Sequence, residues 1–291
     1  MITRRKCIGG AAVALGFGGL APARARAAEG AAGLPAALAR LEAEHGGRLG
    51  VAVLDTGSGE QAGHRLEERF ALCSTFKVLA AACVLARVDR GEESLSRRVT
   101  YGQEDLVTYS PVTGKHAGDG MTVGAICEAA VTLSDNTAGN LMLDSFGGPA
   151  GLTAYLRSLG DGITRLDRRE TALNEALPGD PRDTTTPSAM VGLLQKLVLG
   201  TALSPASREQ LSAWLIGCKT GDRRLRAGVP KGWRVGDKTG TGERNATNDV
   251  AILWPPGRAP VIVAAYYAES RASADTRDAV LAEVGRLAAT I

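Results

Sequence analysis

An apolar run that contains a single lysine is the feature that most constrains how this chain can fold. Nearly every residue from Phe76 to Val88 is apolar, and a helix that is apolar on all sides is a helix buried in the core. Lys77 lies in that run, where an ammonium group is costly unless it is paired or loses its proton. Ser74 precedes Lys77 by one helical turn, so both side chains share one face. The run predicts a core helix that carries a serine beside a lysine.

The start of this helix suits a nucleophile. Backbone N–H groups and the positive end of the helix dipole face Ser74 there, which favours an oxyanion developing on a substrate. Lys77, one turn further on, can take or relay the serine proton if its surroundings lower its pKa. A serine three residues before a lysine is also a common chance match, so this pair is informative only together with other motifs.

The first 27 residues are predicted to be an export signal. They start with basic residues, continue with an apolar run from Ile8 to Leu20 that is too short to span a bilayer comfortably, and end in two A-x-A cleavage patterns. The pair Arg4-Arg5 favours a twin-arginine signal, which exports folded proteins, and an ordinary secretory signal is the alternative. We expect a periplasmic or secreted protein without stable membrane association after the signal is removed.

The charge of the remaining chain excludes one class of partner. Five of the 34 basic residues and none of the 31 acidic residues lie in the first 27 positions, which leaves a net charge of −2. Aromatic residues make up only 4% of the chain. Nucleic-acid binding depends on a basic surface or on aromatic side chains that stack on bases, so we expect no nucleic-acid partner.

The cysteines and histidines show no spacing typical of a metal site. Four cysteines follow the signal, and they match neither a zinc motif nor a disulfide framework; they are Cys73, Cys83, Cys127 and Cys218. Export permits disulfides, but buried free thiols are the simpler interpretation. Because the three histidines are also scattered, we expect no metal ion and no cofactor. We expect a monomer.

Strand patterns occur at both ends of the chain, and helix patterns occupy the middle. A strand pattern follows Gly46-Gly47, and three more β-rich runs begin near Gly232. An amphipathic helix closes the chain. The two ends must therefore share a sheet, and residues 28–70 and 217–291 are predicted to form one α/β domain.

The segment between them, residues 71–216, is predicted to be an all-helical domain inserted into the α/β domain. Its patterns include one helix capped by Thr122 and another that begins at Pro187. The chain crosses between the two domains near Ser74 and near Lys238, and such junctions are natural positions for a cleft.

Two further polar motifs lie at the ends of predicted elements. The stretch "LSDN" puts Ser134 and Asn136 at the start of a helix, where capping is the simplest interpretation. The stretch "DKTGTG" puts Lys238 on a β-run with Gly240 and Gly242. Glycines there let a substrate approach the backbone like an added strand, and a simple turn is the alternative.

Residues 165–183 are predicted to form a long, charged loop that is broken by prolines. Long ordered loops in compact domains tend to be functional. Glu170 and Asn174 lie four residues apart within it, and Arg168 could pair with Asp183 to clamp the two ends together. The alternative is a solvated excursion of the surface.

Taken together, the motifs resemble those of the class A serine β-lactamases. S-x-x-K at Ser74, S-D-N at Ser134 and K-T-G at Lys238 are the known signature of these enzymes and of penicillin-binding proteins. The resemblance extends from about residue 30 to the C-terminal helix. It implies an α/β plus all-α fold of two lobes, with an antiparallel sheet flanked by terminal helices and an active site in the cleft. It also implies hydrolysis of penicillins and cephalosporins, which confers antibiotic resistance.

The resemblance implies four catalytic residues. Ser74 would be the nucleophile that opens the lactam and becomes acylated, and Lys77 would relay protons. Glu170 would activate a water for deacylation, and Ser134 would carry a proton to the leaving nitrogen. Whether Lys77 or Glu170 is the base for acylation is disputed for the family.

The resemblance also implies residues that bind the substrate. Asn174 would help to hold the hydrolytic water, Asn136 would hydrogen-bond to the substrate's side-chain amide, and Tyr109 would form an aromatic wall. The oxyanion hole would be made by the backbone N–H groups of Ser74 and Thr241. The K-T-G strand would bind the substrate and its carboxylate through Lys238, Thr239, Gly240 and Thr241.

Two positions depart from the pattern of many members. The strand after K-T-G reads "NATND", without the usual arginine, and Arg224 resembles the substitute that other members use to bind the carboxylate. Cys73 precedes the nucleophile, but Gly242 stands where some carbapenem-hydrolysing members have its disulfide partner. This feature therefore does not support carbapenem hydrolysis.

Two other functions stay open at the level of sequence. A D,D-peptidase or penicillin-binding protein would share S-x-x-K and K-T-G but would stall as an acyl-enzyme, and Glu170 with Asn174 argues against it. A non-catalytic β-lactam receptor would bind the drug covalently to report it. Such sensors usually sit on a membrane anchor, and the sequence shows no transmembrane segment beyond the export signal.

Overall fold

The computed structural model describes residues 21–291, with side chains described from residue 32 onward. Most of the predicted export signal, residues 1–20, lies outside the described residues. The first helix, α1 (Ala21–His45), already covers the predicted cleavage region. Within residues 21–291, none of the helices combines the length and the apolar character that crossing a membrane requires.

Helices make up most of the middle of the chain, as the periodicity predicts. After α1 come the helices α2 (Phe76–Asp89), α3 (Val123–Thr132), α4 (Asn136–Asp144), α5 (Gly148–Ser158), α6 (Pro187–Leu194), α7 (Pro205–Ile216), α8 (Leu225–Gly228) and α9 (Ala274–Ala288). Thr122 caps α3 by accepting a hydrogen bond from Ala125 N, and Pro187 occupies the first turn of α6, both as predicted. A π-helical turn at Gln195–Leu199 extends α6.

One antiparallel sheet of five strands forms the centre of the α/β part. The strands of the described chain are β1 (Arg48–Asp55), β2 (Gln61–His64), β3 (Phe70–Ala71), β4 (Arg98–Val99), β5 (Met121–Thr122), β6 (Thr184–Thr185), β7 (Arg234–Thr241), β8 (Thr247–Trp254) and β9 (Val261–Ala268). The sheet order is β2-β1-β9-β8-β7. Because β1 pairs with β9 along its whole length, the two ends of the chain share one sheet, and that prediction is confirmed.

The two faces of the sheet support two separate cores. Alternate residues of a strand point to opposite faces, so on β1 Val51 and Val53 join a core with α1 and α9. Ala52 and Leu54 join a larger core on the other face, which is built with the helices of the middle segment. The sheet therefore separates the terminal helices from the helical part, and β7 forms the edge that borders the helices.

The apolar run of the sequence forms the central helix of the larger core. Every residue of α2 from Phe76 to Ala86 is buried, and α2 packs against α3, α4, α5 and α7. Lys77 is completely buried with them. The prediction of a core helix with an internal lysine is confirmed.

The middle segment is not entirely helical. Two short antiparallel pairs, β3 with β6 and β4 with β5, lie at or within the predicted helical domain. Strands of two residues are too short to show an alternating pattern, so the sequence analysis did not predict them. The first pair matters for function, because Phe70 opposite Thr185 ties the segment before Ser74 to the end of the 165–183 loop.

Candidate active site

Ser74 lies where the buried helix begins. It belongs to a 3₁₀ turn, Cys73–Thr75, that leads directly into α2, and only 6% of the residue is exposed. The Leu72 N–H donates to Asp183 O at 2.8 Å, so the turn is fixed to the far end of the 165–183 loop. The fold thus holds one serine hydroxyl at the border between the core and the surface.

Lys77 has four oxygen neighbours and no contact with solvent. Its Nζ lies 2.9 Å from Ser74 Oγ, 2.8 Å from Ser134 O and 2.6 Å from Asn136 Oδ1, and 2.9 Å from Glu170 Oε1. Burial lowers the pKa of Lys77, although the carboxylate of Glu170 opposes that shift. The ammonium form therefore gives up its proton more readily here than in water.

The 165–183 loop brings Glu170 to the same serine. The Ser74 hydroxyl donates to Glu170 Oε1 at 3.2 Å, and Asn174 Nδ2 donates to Glu170 Oε2 at 2.5 Å. Asn140, on α4, clamps the Glu170 backbone: its Nδ2 donates to Glu170 O at 3.0 Å, and its Oδ1 accepts from Glu170 N at 2.9 Å. The side chain and the backbone of Glu170 are therefore both held in place.

The predicted clamp at the ends of this loop is present. Arg168 Nε donates to Asp183 Oδ2 at 2.6 Å, and the other Asp183 oxygen accepts from the N–H groups of Asp167 and Arg168. Charge-assisted bonds of this kind are short and strong. The long loop is therefore an ordered part of the site, and the alternative of a solvated excursion is wrong.

The "LSDN" segment serves both structure and site. Asp135 caps α4 by accepting from Ala138 N, as the capping interpretation predicts. Ser134, which has a positive φ of 60°, presents its carbonyl to Lys77 and its Oγ to Lys238 Nζ at 2.9 Å. Asn136 lies between Lys77 and Thr108 O, to which its Nδ2 donates at 2.8 Å. Asp135 therefore caps the helix, while its neighbours Ser134 and Asn136 contact the lysines of the site.

Strand β7 supplies the second lysine. Lys238 is completely buried and donates to Ser134 Oγ at 2.9 Å and to Thr239 O at 2.8 Å. Burial, together with the charge of Lys77, lowers the pKa of Lys238 to about 7. Gly240 lies against the segment before Ser74, since a Cβ there would be 3.0 Å from Leu72 O.

Two buried carboxyl groups lie close to this strand. Asp237 pairs with Arg226, and Asp249 accepts from Leu225 N. Burial and the charge of Asp237 raise the pKa of Asp249 well above its usual range. The buried pair therefore favours the protonated form of Asp249.

Arg224 reaches the end of β7 from the segment before α8. Its guanidinium donates to Gly240 O at 3.0 Å, to Asn248 O at 2.8 Å and to Thr241 Oγ1 at 2.9 Å, and it pairs with Asp278 at 2.9 Å. Arg224 therefore lies beside the K-T-G strand.

Comparison with known proteins supports the same interpretation. The Beta-lactamase enzyme family matches residues 33–290. Beta-lactamase L2 of Stenotrophomonas maltophilia is 49% identical over 99% of this chain and 98% of the relative, and Beta-lactamase CTX-M-8 of Citrobacter amalonaticus is 48% identical over 86% of each. This chain belongs to the class A β-lactamases. The family is one of hydrolases, so the protein is an enzyme.

Solved structures of this family share the fold. An ancestral class A β-lactamase is 67% identical, with a TM-score of 0.86 over 87% of this chain and 97% of the other. A class A β-lactamase from Rhodopseudomonas palustris, PenP, described as putative, is 64% identical, with a TM-score of 0.86 over 87% and 97% of the two chains. The predicted architecture of an antiparallel sheet with flanking and inserted helices is confirmed.

In this β-lactamase the predicted site residues form one connected group. Direct hydrogen bonds or ion pairs link Ser74, Lys77, Ser134, Asn136, Glu170, Asn174 and Lys238. Thr239, Gly240, Thr241 and Arg224 lie on or beside β7. Tyr109 is the most peripheral: 56% of it is exposed, and only its carbonyl touches the group, accepting from Asn136 N at 3.0 Å. Its position fits an outer wall.

Cys73 packs against Gly242 and has no disulfide partner there. A Cβ on Gly242 would lie 2.6 Å from Cys73 Sγ, so the two residues are in close contact without a bond. All four cysteines of the described residues are free and buried, and burial raises the pKa of Cys73 to about 12. Cys73 therefore stays a neutral thiol beside Ser74.

Two residues of the site were missed in the sequence. Asn140 holds the Glu170 backbone, and its position four residues after Asn136 on the same helix was an available signal. Gly139 makes room for the lysine, because a Cβ there would lie 2.9 Å from Lys77 Cε. No local pattern marks a glycine as one that another helix approaches. Within the described chain, no cluster of histidine, cysteine and acidic residues is suited to hold a metal ion.

Proposed function

We propose that this enzyme hydrolyses penicillins and cephalosporins through an acyl-enzyme on Ser74 and so confers antibiotic resistance. The observation that carries the proposal is the double contact of one hydroxyl. Ser74 Oγ lies 2.9 Å from Lys77 Nζ and 3.2 Å from Glu170 Oε1. A serine activated by a base is the arrangement that nucleophilic catalysis requires.

The contacts of Lys77 support a role in acylation. An ammonium has three hydrogens to donate, but four oxygens surround Nζ. A neutral amine can donate to two of them and accept the Ser74 proton, which agrees with the lowered pKa of Lys77. Glu170 contacts the same hydroxyl, so it is the alternative base. Replacing Lys77 and Glu170 one at a time shows which of them is the base for acylation.

Ser134 would deliver a proton to the leaving nitrogen. Its Oγ accepts from Lys238 Nζ, while its carbonyl accepts from Lys77 Nζ. Lys77 and Lys238 therefore both contact Ser134, the first through its carbonyl and the second through its hydroxyl. General acid catalysis by such a positioned group contributes roughly 10²- to 10⁴-fold.

Deacylation needs a water activated by Glu170. Asn174 Nδ2 holds one carboxylate oxygen, while Asn174 Oδ1 is buried and has no hydrogen-bond partner among the described residues. A buried acceptor of this kind is costly unless it is satisfied. A water bound between Asn174 Oδ1 and the Glu170 carboxylate would satisfy the amide and lie close to Ser74.

The β7 side suits the rest of the substrate. Lys238, Thr239, Thr241 and Arg224 offer donors for its carboxylate. Asn136 would bind its amide side chain, and Tyr109 would cover it. The backbone N–H groups of Ser74 and Thr241 would bind the oxyanion.

A D,D-peptidase or a β-lactam receptor would share the serine and the lysines but would not need a held carboxylate. Asn140 clamps the Glu170 backbone, and the ion pair of Arg168 with Asp183 closes the loop that carries Glu170. Both contacts hold the Glu170 carboxylate beside Ser74. They favour an enzyme that hydrolyses its acyl-enzyme.

Loss of benzylpenicillin, followed by ultraviolet absorbance in large substrate excess, tests the proposal. Continuous loss over many equivalents supports hydrolysis. A burst of about one equivalent followed by a plateau would show a penicillin-binding protein or receptor instead.

We also propose that the enzyme acts as an exported monomer. The basis for export is the N-terminal signal pattern with Arg4-Arg5. Replacing both arginines by lysine should leave activity in the cytoplasmic fraction. Activity that still reaches the periplasm would favour an ordinary secretory signal, and light scattering of the purified protein tests the monomer.

A further inference from the structure

A chain of three side-chain groups leads from the interior to the predicted carboxylate site. Cys218 Sγ lies 3.4 Å from Thr220 Oγ1, and Thr220 Oγ1 lies 2.5 Å from Thr239 Oγ1. Cys218 and Thr220 belong to the segment between α7 and α8, and Thr239 lies on β7. None of the motifs of the sequence includes Cys218 or Thr220.

The direction of the hydrogen bonds in this chain decides what Thr239 can do. A threonine hydroxyl has one hydrogen to donate and two lone pairs that accept. Thr239 can donate to a substrate carboxylate only if its hydrogen is not used on Thr220. In that case Thr220 must donate to Thr239.

Cys218, at the interior end of this hydrogen-bond chain, supports donation from Thr220 to Thr239. Cys218 is only 3% exposed, and burial raises the pKa of its thiol, so the thiol keeps its hydrogen. It can donate weakly to Thr220 Oγ1, which leaves the Thr220 hydrogen for Thr239. Hydrogen bonds that run in one direction along such a chain strengthen one another.

The neighbouring threonine of the strand shows the same arrangement. Thr241 Oγ1 accepts from Arg224 Nη2 at 2.9 Å, so its own hydrogen is also free to point outward. Thr239 and Thr241 are two residues apart on β7 and face the same side of the sheet. Arg224 is thus the donor behind Thr241, and Thr220 is in position to be the donor behind Thr239.

We propose that Thr220 is a positioning residue for the substrate carboxylate, which turns the Thr239 hydroxyl outward as a hydrogen-bond donor. This inference rests on the proposed function, because the carboxylate is that of the β-lactam. Thr220 does not itself touch the substrate. Its effect should appear in substrate binding and depend on the charge of the substrate.

The test compares Thr220→Val, which keeps the shape but removes the hydroxyl, with Thr220→Ser, which keeps the hydroxyl. With benzylpenicillin, Thr220→Val should raise KM roughly three- to tenfold, part of the value of a hydrogen bond to a charged group, with a smaller change in kcat. Thr220→Ser should restore the original KM. The methyl ester of benzylpenicillin has no carboxylate, so the valine variant should handle it like the parent enzyme.

Two results would overturn the inference. One is an unchanged KM for benzylpenicillin in a folded Thr220→Val enzyme. The other is an equal loss with the methyl ester, which would show a merely structural role for Thr220.

A binding measurement separates this inference from the proposed function. Benzylpenicilloate, the hydrolysed penicillin, retains the carboxylate, and its dissociation constant can be measured by tryptophan fluorescence without turnover. If the parent protein fails to hydrolyse penicillin, the proposed function fails. The Thr220 inference then still predicts weaker penicilloate binding by Thr220→Val than by Thr220→Ser, and equal binding would refute it.

Discussion

Two buried lysines lie on either side of Ser134, and their surroundings differ. Lys77 faces four oxygens, one of them the carboxylate of Glu170. Lys238 donates to two neutral oxygens, Ser134 Oγ and Thr239 O. Burial lowers the pKa of both lysines.

The difference separates proton transfer from charge recognition. Lys77 lies between a nucleophile and a carboxylate, so a proton that leaves one of these groups has an acceptor within hydrogen-bond distance. Lys238 has no carboxylate in contact, and its charge is compensated only when an anion arrives. We therefore propose that Lys77 moves a proton and that Lys238 binds the anionic end of a substrate.

The largest expected effect lies on the Lys77 side. In Glu170→Ala, acylation by benzylpenicillin should continue or slow, while deacylation collapses because the base for the water is gone. We expect kcat to fall by about 10³-fold or more. Intact-mass analysis during turnover should show accumulated acyl-enzyme.

Glu175→Ala is the matched control, since Glu175 lies in the same loop and pairs with Arg168 rather than with Ser74. It should retain turnover. Free enzyme and undiminished turnover in Glu170→Ala would contradict the assignment of the base. Loss of acylation itself would make Glu170, rather than Lys77, the base for both steps.

The second prediction concerns pH and the Lys238 side. With a pKa of about 7, Lys238 is cationic below that pH and neutral above it. A substrate carboxylate binds the cationic form, so kcat/KM for benzylpenicillin should fall as the pH rises through about 7. The loss should be roughly 10- to 100-fold, the value of a charge-assisted hydrogen bond. Burial and the charge of Lys77 lower this pKa, and the charge of Asp237 opposes them.

Lys238→Arg distinguishes Lys238 from the other titrating groups. An arginine stays charged over this range, so the alkaline decrease should move to higher pH. The methyl ester of benzylpenicillin should show no such decrease. A decrease that persists unchanged in Lys238→Arg would assign it to another group.

The same pKa shift has a consequence for stability. The unfolded chain binds the Lys238 proton up to the ordinary pKa of 10.5, and the folded protein only up to about 7. Between these values the unfolded state holds more protons, so this group makes the free energy of unfolding increase with pH.

The sequence predicted these two lysines unequally well. Lys77 stood out because a charge inside an apolar run demands an explanation, and its spacing from Ser74 follows from helix geometry. Lys238 was found only through its motif, since a lysine on a strand is usually exposed. Helix and strand patterns also placed both ends of the chain in one sheet, because period-2 and period-3.6 patterns are local.

The contacts between elements could not be predicted from such local patterns. Gly139 and Thr220 act across the gaps between helices, loop and strand. Their importance depends on which atoms the fold brings within 3 Å, and spacing along the chain does not encode that. The short pair β3–β6, which fixes the loop against the nucleophile segment, was missed for the same reason.

The smallest expected effect is that of Arg224→Ala. The change should weaken substrate binding on the Lys238 side and leave proton transfer on the Lys77 side unaltered. The change removes the donor to Thr241 Oγ1 and the bonds to Gly240 O and Asn248 O. We expect KM for benzylpenicillin to rise by roughly threefold to tenfold, and kcat to change less. Arg224→Lys keeps the charge but loses the fork geometry, so it should recover only part of the loss.

The acyl-enzyme measurement is decisive for Arg224, because binding and proton transfer predict different results. If the β7 side only recognises charge, Arg224→Ala should show no accumulation of acyl-enzyme at saturating benzylpenicillin, unlike Glu170→Ala. Unchanged kinetics would move the carboxylate role to another residue. Accumulated acyl-enzyme would mean that Arg224 also influences deacylation, and the division of labour between the two lysines would then be wrong.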